Sequence, residues 1–197
     1  MLVDFVIKPC CANAQFSSLL FEAQMSKRIL TVATYNPHWP TQFLQEQAAL
    51  TTIFAHNQVV IHHIGSTSVP ALSAKPIIDI LVTVNSLTLF EDNEDNLKAL
   101  GYVAKGENGI AGRRYFQKDG CNRSHHLHGF MHGDICAKQH LVFRDYLRSK
   151  PIIAKQYGEL KQQLVKQCFN DTHLYMQGKA DFIQHHLALA LAEQLRS

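Results

Sequence analysis

Residues 59–84 read VVIHHIGSTSVPALSAKPIIDILVTV, and the punctuation of this stretch decides the fold. Two short apolar runs, 59–64 and 77–84, flank a small-residue segment that opens at Gly65 and closes at Pro76. Short β-branched runs bounded by Gly and Pro read as buried strands. Gly65 permits a sharp exit from the first strand. Ser66 or Thr67 can cap a short helical turn, whose free N–H groups then face whatever sits above the strand ends. Asp79 is the lone acid of the second run, and a carboxylate in a buried strand is unfavourable unless it is paired or binds a metal. The combination points to a phosphate or nucleotide site with a metal-holding carboxylate.

Upstream, a turn at 36–40 (NPHWP) leads into a helix over roughly 40–55, with Phe43, Leu44, Ala48, Leu50, Ile53 and Phe54 forming its apolar stripe. Downstream, Ser86 can cap a helix running to about Leu100, which Gly101 ends. Three strands are expected at 102–104, 113–118 and 124–131, with a hairpin turn at Asp119-Gly120 between the last two. From Gly133 the pattern turns helical, Pro151 restarts a helix, and a last helix is expected over 172–195. This order predicts one α+β domain over 31–197: a mixed β-sheet with helices packed on it and a helical C-terminal part.

A second chemical stretch is Arg123-Ser124-His125-His126-Leu127-His128. On a strand, His126 and His128 share one face and His125 and Leu127 the other. Two imidazoles two residues apart can bind one metal or hold one phosphate; the competing reading is a polar strand face turned to water. The chain holds 12 histidines in 197 residues, which favours convergence. His63, beside the Gly-Ser turn, is expected to face the same pocket and His62 the opposite side. Among the basic residues, Lys75, Arg113, Arg114, Arg123, Arg144 and Arg148 are candidates, one or two of which would clamp a phosphorylated ligand while the others are surface or ion-pair residues. For Arg144, an ion pair with Asp145 or Glu159 is the alternative.

The strings HIGSTSVP (63–70) and KPIIDI (75–80) carry a resemblance to the GrpB family, extending over roughly 35–183. Arg123, His126 and His128 match a further family pattern, and 143–148 (FRDYLR), 157–161 (YGELK), Tyr175 and Lys179 also resemble family motifs. The family is similar to the nucleotidyltransferase superfamily, which implies a nucleotidyltransferase-like sheet. It also implies that Gly65, Ser66, Thr67, Ser68, Lys75, Arg114, Arg123 and Arg144 serve ligand binding, and that Asp79, His126, His128 and His63 hold a divalent metal (Mg, Mn or Zn). In that reading Asp79, His126 and His128 are also the candidate catalytic residues. Superfamily enzymes use two carboxylates on the second strand. Here the second position is Leu81, so the chemistry is either altered or reduced to binding. GrpB-like domains also resemble a domain fused to dephospho-coenzyme A kinase in some bacteria, which implies an alternative: a non-catalytic accessory module with a protein partner.

Composition narrows the classes. Apolar content is 46%, charged content 18% and formal net charge +3, with no basic run of five, which argues against nucleic-acid binding by electrostatics. No apolar stretch is long enough to span a bilayer. Five cysteines, an odd number, fit reduced thiols in a cytoplasmic protein. Residues 1–30 read as an N-terminal extension. Met25 is a candidate start that would make 1–24 an over-extended reading frame; the other reading is a real arm packing on the domain.

Overall fold

The computed structural model describes residues 29–55, 57–119 and 123–196; the expectations for residues 1–24, Met25 and Gly120 lie outside these. The architecture is α+β. Five strands, β1 (Val60–Ile64), β2 (Ile78–Val84), β3 (Tyr102–Ala104), β4 (Arg114–Lys118) and β5 (His125–Met131), form one mixed sheet in the order β1-β2-β5-β4-β3. β2 and β5 are parallel, and the other neighbours are antiparallel.

β2 is an interior strand between β1 and β5, buried along its length except at Asp79. Burial on both faces is why it reads as a continuous apolar run. Ile78, Ile80, Val82 and Val84 face α1 (Trp39–Ile53), α2 (Thr88–Asp92) and α3 (Glu94–Ala99), packing with Trp39, Phe43, Leu50, Phe90 and Leu97. Each such side chain contributes about 1.5–3 kcal/mol by leaving water. On the other face Ile64, Leu81 and Phe130 pack with Ala137 of α4 (Ile135–Ser149). Then α5 (Pro151–Gln167), α6 (Thr172–Gly178) and α7 (Ala180–Gln194) complete the helical C-terminal part, with Val142, Tyr146, Leu147, Ala154, Tyr157 and Ala190 packing on Val69 and Leu72 of the β1–β2 connection. That packing brings α5 over the Gly-Ser turn.

Two expected helices are each broken in two. The helix after Ser86 stops at Asn93, whose side-chain amide donates to the Leu89 carbonyl at 2.9 Å and competes with the helical ladder. Ser86 Oγ accepts from the Thr88 N–H at 3.3 Å, although Leu87 is the cap residue. The last helix breaks at Lys179, next to Gly178, where a Cβ would collide with Leu164 of α5. Asp119 closes β4 with φ 67°, as a hairpin exit requires.

Behind the sheet, Glu46 of α1 is 7% exposed and accepts from Lys118 Nζ at 2.8 and 2.9 Å. Its position within the apolar helix stripe gave no sign of this pair. Glu46→Ala leaves the Lys118 ammonium half-buried without its counter-ion. The expected loss is about 3 kcal/mol, read as a lower urea midpoint with an unchanged m-value.

Candidate metal and phosphate site

The parallel register pairs Asp79 with His126 and Leu81 with His128. Neighbouring strands present register partners on one face, so the carboxylate and both imidazoles meet on the α4 side of the sheet. His126 Nδ1 lies 3.1 Å from Asp79 Oδ1, and His128 Nε2 lies 3.6 Å from the same oxygen. A carboxylate only accepts, so His126 donates through Nδ1 and keeps a lone pair on Nε2. That Nε2 and both ring nitrogens of His128 are buried without hydrogen-bond partners. One ligand atom from each of Asp79, His126 and His128 lies within 4.8 Å of the others. Tyr115 of β4, in register with His128, flanks the two imidazoles at ring distances of 5.5 and 5.1 Å.

The electrostatics suit ligation. Burial works to raise the Asp79 carboxyl, but the hydrogen bond from His126 and the close approach of His128 outweigh it and hold the group well below the usual carboxylate range. Burial lowers His128, and burial together with the neighbouring His128 pushes His140 of α4 down to about 3. Neutral imidazole beside an ionised carboxylate is the form that binds metal.

At the end of β1 the chain turns through Gly65, with φ 68°, into a short 3-10 turn, Ser66–Ser68. A Cβ on Gly65 would collide with the Asp79 carboxylate. Gly65 is therefore fixed by both its left-handed backbone and this close approach. Gly65→Ala is expected to lower stability by roughly 3 kcal/mol, from the positive φ and the clash together, and to displace the carboxylate. Chemical denaturation checks the first effect and metal titration the second.

The turn's side chains divide their work. Ser66 Oγ accepts from Lys161 Nζ of α5 at 2.8 Å. Thr67 donates to the Ile77 carbonyl at 3.3 Å, and Ser68 donates to the Gly65 carbonyl at 2.6 Å. Both thus shape the turn, which leaves Ser66 as the hydroxyl turned toward the lysines. Lys161 is 2% exposed, with its Nζ 4.4 Å from the centre of the Tyr157 ring. Burial and the nearby Lys179 push it down to about 7, with Asp79 opposing. Burial also lowers Lys179, against the pull of Asp79; its Nζ and that of Lys75 lie 5.2 and 4.3 Å from the Tyr175 ring. Both lysines lie in stretches whose resemblance to family motifs marks them in the sequence, and in each an aromatic residue stands four positions before the lysine.

Other candidates are placed elsewhere. His63 is not brought to the Asp79 group: it pairs with Ile80, stacks on Phe43 at 4.7 Å and bonds Thr67 Oγ1 at 3.0 Å. Burial pushes it down to about 4. His62, in register with Leu81, takes the site face, reversing the expected parity. Arg114, in register with Gly129, faces the α2 side and pairs with Glu91. Its neighbour Arg113 lies on the site side, 4.7 Å from the Tyr115 ring, holding the Glu107 and Asn108 carbonyls. Arg144 pairs with Asp145 at 2.8 Å and donates to the His63 carbonyl at 3.1 Å, while Arg148 holds the Ser68 carbonyl. These two arginines pin the β1 turn from α4. Arg123 precedes β5, near enough to Tyr115 to act on its phenol.

A mixed sheet that gathers a carboxylate, two imidazoles and a lysine-held serine at one strand end defines an α+β protein with a polar site on the α4 side of the sheet. The chain belongs to the GrpB family: the GrpB protein family model matches residues 29–188. It is 47% identical over 158 residues to UPF0157 protein YqkA of Bacillus subtilis, across 80% of this chain and 46% of that protein, so it spans about half of that relative's length. A dephospho-CoA kinase of Mycolicibacterium paratuberculosis is 31% identical over 90 residues, 44% of this chain and 22% of that protein. The crystal structure of the conserved protein GrpB from Enterococcus faecalis superposes with a TM-score of 0.80 at 40% identity, covering 84% of this chain and 99% of that one. Among the described residues no helix is long and apolar enough to cross a membrane.

Proposed function

We propose that this chain binds a nucleotide or another phosphorylated small molecule together with a divalent metal, in the manner of a nucleotidyltransferase. The observation that carries this reading is the meeting of Ser66, backed by Lys161, with the Asp79, His126 and His128 face around Gly65. The unpartnered nitrogens of His126 and His128 fit a metal, and these two residues with Asp79 would hold it. A donor set of two nitrogens and one oxygen favours Mn or Zn over Mg. Such a metal supplies Lewis-acid polarisation of a phosphate oxygen. The chain's own groups do the rest. Ser66 and the N–H groups of its turn donate to the phosphate oxygens, Lys161 and Lys179 supply positive charge, and Arg144 and Arg148 keep the turn in place.

Nucleotidyl transfer is the further claim. The test is incubation of the full chain with nucleoside triphosphates and Mn²⁺, following both binding and pyrophosphate release. Binding with release supports a transferase, and binding without release supports a carrier or sensor. A second reading, a non-catalytic accessory module, is favoured by Leu81, fully buried where a second metal-binding acid would stand, and by the dephospho-CoA kinase relative. Absence of any nucleotide binding would replace the first reading with this one.

A further inference from the structure

Lys161 is a buried amine with a neutral hydrogen-bond partner. Its Nζ bonds the Ser66 hydroxyl and faces the Tyr157 ring, and among the described residues no carboxylate forms an ion pair with it. The charged groups that act on it are Lys179, which repels an ammonium, and Asp79, whose carboxylate is engaged by His126 and His128. A buried ammonium without a counter-charge is unfavourable, so in the free protein the proton is weakly held. A doubly charged anion on Ser66 brings the missing counter-charge to the hydroxyl that the amine contacts.

We propose that Lys161 is a proton-coupled anion sensor: a dianionic terminal phosphate seated at Ser66 binds together with one proton taken from solvent onto Lys161 Nζ. No covalent bond is made or broken; the proton moves from water to the amine. The inference rests on the reading of Ser66 as a phosphate contact and narrows it to a substrate class. Phosphomonoester and polyphosphate ends, which carry two charges, recruit the proton; phosphodiesters, with one charge, do so weakly. Because Lys161 is 2% exposed, it works through Ser66 as a positioning residue.

The test uses sulfate, a dianion that does not itself titrate near neutrality. The full chain is titrated calorimetrically at pH 8 in two buffers of different ionisation heat, and the affinity is followed with pH. The expected result is uptake of nearly one proton per sulfate at pH 8 and an affinity that falls about tenfold per pH unit above 7. Lys161→Met should lose both the uptake and the pH dependence, whereas Lys166→Met, at an exposed lysine of the same helix, should retain both. Sulfate binding without proton uptake, or uptake that survives Lys161→Met, overturns the sensor and leaves Ser66 as an anion contact. No sulfate binding at any pH of the series overturns both.

Discussion

Asp79→Asn is expected to lower the affinity for Mn²⁺ and Zn²⁺ by at least about 100-fold, since it removes the charged oxygen donor itself and not merely a group that orients one. The carboxylate sits where β2, β5 and the Gly65 turn meet. It accepts from His126 at 3.1 Å, lies 3.6 Å from His128, and is the wall against which Gly65 turns. Asparagine keeps the shape but presents an amide, which can offer a hydrogen where a cation is to bind. Fluorimetric or calorimetric metal titration reads the effect, and circular dichroism confirms that the sheet persists. Unchanged metal affinity in this variant would remove Asp79 from the metal set.

Lys161→Met is expected to make the free protein more stable, by about 4 kcal/mol at pH 7. The native amine is pushed down to about 7, from the ordinary lysine value of 10.5. The unfolded chain therefore binds the proton more tightly than the native one between these values. Wild-type stability accordingly rises with pH across that window through this group, and the deficit is full below pH 7. Methionine fills a similar volume without the charge, so the variant should melt higher near neutrality and show a flatter pH profile between 7 and 10. A lower melting temperature would mean that the ammonium is compensated in the native state. A group kept at a cost to stability is what a ligand site predicts.

What was legible in the sequence was what depends on local periodicity. The two strands, the Gly65 turn and the shared face of His126 and His128 follow from chain punctuation and a two-residue alternation. Errors arose where one residue of parity decided the outcome. His62 and His63, like Arg113 and Arg114, are adjacent, and nothing local states which of each pair faces α4; the register with β2 and β5 decides it. Lys161 and Ser66 are 95 positions apart, and they meet because α5 packs over the β1–β2 connection through Tyr157, Leu72 and Ala154. Such a contact has no local trace beyond the family-like string 157–161, which does not say what Lys161 meets. The break at Gly178 likewise depends on the approach of Leu164 from another helix.

The central claim is that one sheet face holds the metal and the phosphorylated ligand together. It is tested most directly by a crystal of the chain grown with Zn²⁺ and a non-hydrolysable nucleoside triphosphate, with anomalous data collected at the zinc edge. The account predicts one peak per chain, about 2.0–2.2 Å from Asp79, His126 and His128, with a phosphate oxygen on Ser66. A zinc peak elsewhere, or a nucleotide bound away from Ser66, would contradict it.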